Sequence, residues 1–471
     1  MLVVKYGFID HKFKQAVPAL YDQAESFRKG LASVMLGGKW GMIDKAGTCR
    51  LPLQFDDMNP YAPYLCENGL IKAHDSSGHY IFSKAGKLLK KFDFHELWLF
   101  DSDTAVFGDN DKYGLIGQDL SILLPPTYKQ MMCSFEGLRS FEDDQLWGYL
   151  DNRGKIAISP RFCTPGPHVK GLAPVSIKKA EGGERHGYID ITGNFVIPPV
   201  FSQNSAFWTD LAMVEQDEDG RVGFIDISGK FVVPNVYDDA RGFYSGFAAV
   251  NIGGVSEFQR LREGLSRCNK KLDEMHELHQ KLIIKLEQEL QKGLMKNELS
   301  PEEQVIEESN HRLARESRNI FPNSRHQNGS ETGRTGRWGH INKKNEIIVP
   351  IEYQKVGDFS EGMVFVCDGE AFGYYDSEGK FKIPAVFEDA GNFKNDRARV
   401  KIDGLWGFIN SEGKWLVQPV YQDAMDFDNG LALVQFDGKW GMIDTNGKEA
   451  VPPEYDYLEN YSDGMAKMGR T

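Results

Sequence analysis

An all-β tandem-repeat fold is what this chain predicts, and three observations predict it. A short phrase, of which LWGFINSEGKW (Leu405 to Trp415) is one copy, recurs along the chain, most often at a spacing of 34 residues. Inside each copy the apolar residues alternate with the period of two that belongs to a strand. Glycine is over-represented, at 49 of 471 residues, against a usual share of about 7%, which points to many tight turns.

The phrase can be followed on the glycine of its Trp-Gly pair. Copies stand at Gly7, Gly41, Gly114, Gly148, Gly187, Gly223, Gly339, Gly373, Gly407 and Gly441, with a decayed copy in which Tyr80 takes the glycine position. A period of 34 also belongs to helical tetratricopeptide repeats, but the residues are wrong for helices. In W-G-F-I-N the pleat sets Trp406, Phe408 and Asn410 on one face and Gly407 and Ile409 on the other. The turn N-S-E-G follows, with Asn or Asp first and Gly last, the pattern of a type I turn whose final residue needs positive φ. Next comes a β-branched and aromatic strand, KWLVQPVY, interrupted by a proline that cannot donate to a ladder. Each unit closes with F-x-x-G-L-A-x-V, as in Phe427 to Val434. That third strand is joined by a tight turn such as Asp437-Gly438 to the next Trp-Gly strand. Each repeat therefore reads as a three-stranded antiparallel meander, with a turn-rich connection across Y-x-D-A-x-x-F. So small a unit cannot bury its own apolar face, and neighbours must stack to complete a core.

These residues resemble the WG-repeat (KWG-repeat) family of bacterial β-rich tandem-repeat proteins, named for the Trp-Gly pair. The resemblance covers about 1–254 and 337–471. The chain departs from the pattern where Tyr6, Tyr113, His186, Val222 and Phe372 replace the tryptophan. The family implies a β-repeat fold and no established reaction.

Eleven units of this length are numerous for a propeller, which usually has four to eight blades. The expectation is thus an open superhelical array. The alternative is one or two propeller-like rings, with rings of seven and four units fitting an interruption after residue 254. Seven repeats over 1–254, an insertion over 255–336 and four repeats over 337–471 make up the expected domain plan.

The insertion differs in kind, with Leu, Lys, Glu and Gln in place of glycine and β-branched residues. Ser256 and Gln259 form a capping box. Phe258, Leu261, Leu265, Cys268, Leu272 and Met275 follow three-four spacing, continued by Leu282 and Leu286. The spacing predicts a long helix, then a second one capped by Ser300 with Pro301 at its first position. The expected inserted helical hairpin or coiled coil offers its apolar stripe either to the β-array or to a partner.

Composition bounds the rest. A formal charge of −13 disfavours nucleic acid. The six cysteines are scattered with no C-x-x-C, so neither a zinc ribbon nor a disulfide framework is indicated. No apolar run reaches the roughly 18 residues of a membrane span, and the N-terminus reads as a repeat unit, so a cytoplasmic location is expected. The D-x-x-G aspartates lack the loops of calcium sites and read as turn formers. His276 and His279 have no third ligand in view, and no catalytic or nucleotide-binding motif stands in a suitable context. No enzyme, metal or cofactor is expected.

The sequence thus predicts a non-catalytic protein–protein interaction scaffold. Its helical arm would recruit another protein or self-associate through Phe258, Leu261, Leu265, Leu272, Met275, Leu282 and Leu286. The alternative is a carbohydrate or cell-envelope binder using Trp40, Trp147, Trp338, Trp406 and Trp440 as an aromatic surface, though their replacement elsewhere by valine suits core packing better.

Overall fold

Each copy of the phrase supplies the last strand but one of an antiparallel sheet, and the sheet runs out of phase with the sequence repeat. In the sheet around Gly407 the strands are Asp389–Ala390, Arg397–Ile402, Leu405–Asn410 and Trp415–Tyr421, hydrogen-bonded in that order. The closing strand of one sequence unit therefore pairs with the Trp-Gly strand of the next. The structure is a computed structural model. It describes residues 4–56, 64–65, 68–98, 100–101, 103–180, 182–216, 220–253 and 336–471.

Eleven such sheets are present among the described residues, ten of four strands and one of three. Numbered as blades in chain order, blades 1 to 4 span Gln23–Phe55, Tyr64–Phe92, Glu96–Tyr128 and Gln130–Phe162. Blade 5, the three-stranded one, spans Leu172–Phe201, and blade 6 spans Gln203–Tyr237. Blade 7 joins Asp239–Ala240 and Phe247–Ile252 to Arg337–Asn342 and Ile347–Tyr353. Blades 8 to 10 span Lys355–Phe387, Asp389–Tyr421 and Asp423–Tyr455. Blade 11 combines Tyr457–Leu458 and Met465–Arg470 with Lys5–Asp10 and Gln15–Tyr21.

The expected three-stranded meander is corrected by a further strand that opens ten of the eleven blades; it has six residues in blade 4 and two in the other nine, as in Asp389 opposite Lys401 and Ala390 opposite Val400. A bulge follows, after which Gly391 N–H still bonds the Arg399 carbonyl at 2.9 Å and Lys394 bridges Arg397. The segment that reads as a turn-rich connection is thus a bulged strand ending in a hairpin turn.

The open array is corrected by closure. Lys5–Asp10 pairs along its whole length with Met465–Arg470, from Lys5 opposite Arg470 to Asp10 opposite Met465. The apolar core has the same cyclic order, since eleven buried clusters each join two consecutive blades. Phe8, Val17 and Met465 of blade 11 pack on Phe27 and Val34 of blade 1. Ile9, Leu458 and Met468 on its other side pack on Leu433, Met442 and Val451 of blade 10. An open array would leave one apolar face bare at each end; the ring buries both. The result is a single β-propeller-like ring, built jointly by 1–254 and 337–471. The described residues contain no helix, and the expected inserted hairpin has no counterpart among them. Its positions, Phe258 through Leu286, lie outside the described residues.

The glycine of the phrase is explained by what crosses it. Trp406 pairs with Tyr421 and Phe408 with Val417, so a two-residue step on one strand faces a four-residue step on its neighbour. The bulge swings backbone over Gly407, where a Cβ would stand 2.6 Å from the Val417 carbonyl oxygen and 2.9 Å from the Pro419 nitrogen. No side chain fits there.

Candidate functional site

Each blade shows two sets of turns on one face of the ring. The hairpin turn between first and second strands and the D-x-x-G turn between third and fourth meet there. Lys45 of the blade 1 D-x-x-G turn lies 3.0 Å from Asp463 of the blade 11 hairpin turn. Ser377 N–H bonds the Gly362 carbonyl at 2.8 Å within blade 8. The leading Asp or Asn closes its own turn: the Asp444 carboxylate accepts from Asn446 N–H and Lys448 N–H at 2.8 and 2.9 Å. These residues are the turn formers that their spacing suggests. No group of three or more His, Cys, Asp or Glu among the described residues is placed to hold a metal ion.

Hairpin turns of consecutive blades are also linked. The Glu136 carboxylate of blade 4 accepts from Lys170 N–H and Gly171 N–H of the turn leading into blade 5, at 2.7 and 2.8 Å. Glu361 of blade 8 repeats this on Asn395 and Asp396 of blade 9, at 2.8 and 2.7 Å. Asp463 reaches Gly30 N–H across the ring closure. Each carboxylate thereby satisfies backbone donors that a tight turn leaves pointing outward.

The five tryptophans weighed as an alternative aromatic surface lie in the packing between blades. Trp40, Trp147, Trp338 and Trp406 are buried, and Trp440 is half-buried. They pack in the seams between blades, Trp338 against blade 8 and Trp406 against blade 10. Arg399 covers the Trp406 ring at 4.6 Å and Arg241 the Trp338 ring at 5.2 Å, a cation–π cover that leaves no open stacking face.

Exposed apolar residues stand instead at positions that sequence reasoning passed over. In the hairpin turn, the residue two before the usual glycine is Arg28, Ser360, Lys394, Asp428 or Ser462 in several blades. In blades 4, 6 and 7 it is Phe135, Trp208 and Tyr244, exposed to 37%, 63% and 55%. The second residue of the D-x-x-G turn is polar or charged in nine units. In blades 5 and 6 it is Ile191 and Ile227, exposed to 56% and 49%. All five fall on four consecutive blades. The only signal for them in the sequence is comparison of the copies position by position, which singles out turn residues that break the polar rule.

This patch is fixed in place. Trp208 packs edge-on to Phe135 across the intervening blade, with ring centres 5.9 Å apart. Beside it Asp210 accepts from Lys170 Nζ at 2.8 Å and Lys343 Nζ at 3.0 Å. These hydrogen-bonded ammonium groups hold its carboxyl down at about 2. Glu136, Lys170, Asp210 and Lys343 thus tie blades 4 to 7 together around the aromatic pair.

A closed ring of repeated four-stranded sheets defines a propeller-like repeat protein. The WG-containing repeat matches residues 6–40, 187–218, 223–255, 338–370, 372–406, 406–440 and 440–468, and the chain belongs to the WG-repeat family. The ring extends the repeats beyond those seven matches to eleven blades. No curated protein matches the sequence. Among solved structures, a eukaryotic initiation factor is 8% identical, covering 83% of this chain and 95% of that one, with a TM-score of 0.39. A streptogramin B lyase is 12% identical over 48% of this chain and 86% of that one, with a TM-score of 0.23. Virginiamycin B lyase from Staphylococcus aureus is 13% identical over 48% and 87%, also with a TM-score of 0.23. Scores this low describe loose overall likeness and carry no functional argument.

Proposed function

We propose that this ring is a non-catalytic binding platform that takes a segment of another protein on the turn face of blades 4 to 7. One observation carries the reading: exposed aromatic and aliphatic residues are concentrated on four consecutive blades, at positions that are polar or charged around much of the ring. Exposed apolar side chains scattered singly need no explanation, whereas a contiguous rigid group marks a contact surface. Aromatic anchors held in place lose little conformational freedom on binding, which suits them to that role.

Selection from a displayed random-peptide library on the purified protein tests this. Sequences rich in apolar residues should be enriched on the native chain and lost on Trp208→Ser and Ile227→Ser variants. Both side chains are exposed, so thermal unfolding should stay nearly unchanged. Equal enrichment on native and variant protein would remove the reading.

A further inference from the structure

We infer that the seam between blades 9 and 10 is a binding site for a small molecule that joins a planar ring to a protonated nitrogen. The site belongs to other blades than the platform of blades 4 to 7 and stands or falls apart from it. The position eight residues after the glycine of the phrase opens the last strand of each blade. Eight of the eleven copies place an apolar residue there, among them Phe195, Phe231, Phe381 and Trp415. Blades 1 and 11 place Cys49 and Gln15, and blade 10 alone places a carboxylate, Glu449.

In three seams the ring at this position stands edge-on to the aromatic residue that ends the preceding blade. Phe195 lies 6.2 Å from Phe162, Phe231 6.3 Å from Phe201 and Trp415 6.2 Å from Phe387, between ring centres. The residue that ends blade 9 is Tyr421, and Glu449 gives it no such cover. Left in place of the ring is a cavity of about 230 Å³, whose lining includes Val420, Tyr421, Phe436, Met442, Glu449 and Pro453. An apolar cavity of about 150 Å³ takes up benzene, so one ring has room here.

The walls set the chemistry of the occupant. Val420, Met442 and Pro453 offer apolar contact, and the half-buried Tyr421 offers a ring to pack against edge-on. Val420 and Phe436 are themselves exposed, so a ligand can enter without parting the blades. Burial, and then the charge of the nearby Glu449, push the Tyr421 phenol up, which keeps it a neutral donor. The exposed Glu449 carboxylate has no hydrogen bond or ion pair among the described residues. Lys439, opposite Phe436 in the hairpin of blade 10, is tied to Asp456 instead. A protonated nitrogen beside the bound ring therefore meets an unanswered negative charge, and an anionic ligand is repelled.

Isothermal titration calorimetry on the full chain tests this with phenethylamine and benzamidine, against phenylacetate and butylamine. The two cationic ring compounds should bind more tightly than phenylacetate, which reverses the charge, and than butylamine, which lacks the ring. Glu449→Phe restores the residue type of Phe195 and Phe231; it should abolish binding while the thermal midpoint holds or rises. Glu449→Gln keeps the shape without the charge and should weaken binding severalfold. Phenylacetate binding as well as phenethylamine, or a Glu449→Gln variant as good as the native chain, overturns the cationic ligand. Butylamine binding as well as phenethylamine overturns the ring. Binding of no probe, or binding that survives Glu449→Phe, overturns the site.

Discussion

At the scale of the residue, the Trp-Gly phrase records a steric rule whose partner lies about twelve positions downstream. Ten units keep the glycine, and each of those ten also has a proline in its fourth strand. The decayed unit has lost both, and its Tyr80 pairs directly with Lys91 where other blades bulge. Gly407→Ala should therefore cost about 2–4 kcal/mol in urea unfolding. Gly242→Ala, whose added methyl meets nothing within 4 Å, should change stability by less than about 0.5 kcal/mol. The lysine of the phrase has an equally local reason. Lys5, Lys39 and Lys439 pair with Asp22, Asp56 and Asp456 at the entrance to the following blade. Tyr149, Tyr188 and Tyr374 each donate to the carbonyl 17 positions on, at 2.8–2.9 Å. His340 takes the equivalent place beside Gly357, and burial pushes it down to about 3. Its folded value lies below its unfolded one. The stability it contributes is therefore complete above about pH 6.5 and is lost as the pH falls from there towards 3. His340→Tyr should fold and flatten that part of a thermal-midpoint-against-pH curve. An unchanged curve would show that other groups, such as His79 at about 4, carry the acid response.

At the scale of the element, the strand, turn, strand order was legible because period-two alternation and turn chemistry are local signals. The first strand was not, since two regular residues followed by a bulge leave no periodicity to read. The turn-face patch was invisible for a related reason: Phe135, Ile191, Trp208, Ile227 and Tyr244 are unremarkable residues until the fold superposes the copies. The insertion point gives an element-scale prediction. Ile252 still pairs with Arg337, and a Cβ built on Gly253 would stand 3.6 Å from the Gly336 Cα. Both have positive φ, +80° and +111°, which glycine adopts without strain. Removing residues 254–335 and joining Gly253 to Gly336 leaves a two-residue turn like those of other blades. The spliced protein should keep its far-ultraviolet circular dichroism per residue and its unfolding midpoint. Loss of the midpoint would mean that blade 7 depends on the excised stretch. This turn opens on the face opposite the aromatic patch, so peptide binding should survive the splice.

At the scale of the whole molecule, closure is the property that the repeat count argued against and the pairing of Lys5–Asp10 with Met465–Arg470 supplies. Eleven sheets spaced about 10 Å apart put blade centres roughly 18 Å from the axis, which leaves an axial opening on the order of 20 Å. Ring size is therefore not limited by crowding at the centre, and propellers of few blades are a poor guide to it. The seam makes a distinct prediction. Phe8→Ala in blade 11 and Phe224→Ala in blade 6 each remove a fully buried ring and should each cost about 3–5 kcal/mol. Only at blade 11 do the two halves of a sheet meet without a connecting turn between Arg470 and Lys5. Small-angle scattering under mild denaturant should thus show Phe8→Ala expanding before it unfolds, while Phe224→Ala stays closed until it melts. Simultaneous expansion and melting in both would mean that the seam is no weaker than any other blade. The composite blade also places the ring in time. Its Lys5–Tyr21 half leaves the ribosome before the other ten blades, and Met465–Arg470 is made hundreds of residues later. During the whole of that interval Phe8, Ile9 and Val17 have no sheet to complete, and the growing arc carries an uncovered apolar flank at either end. Synthesis rate and chaperone supply, more than the strength of any single blade, should govern how much of the chain reaches the closed ring.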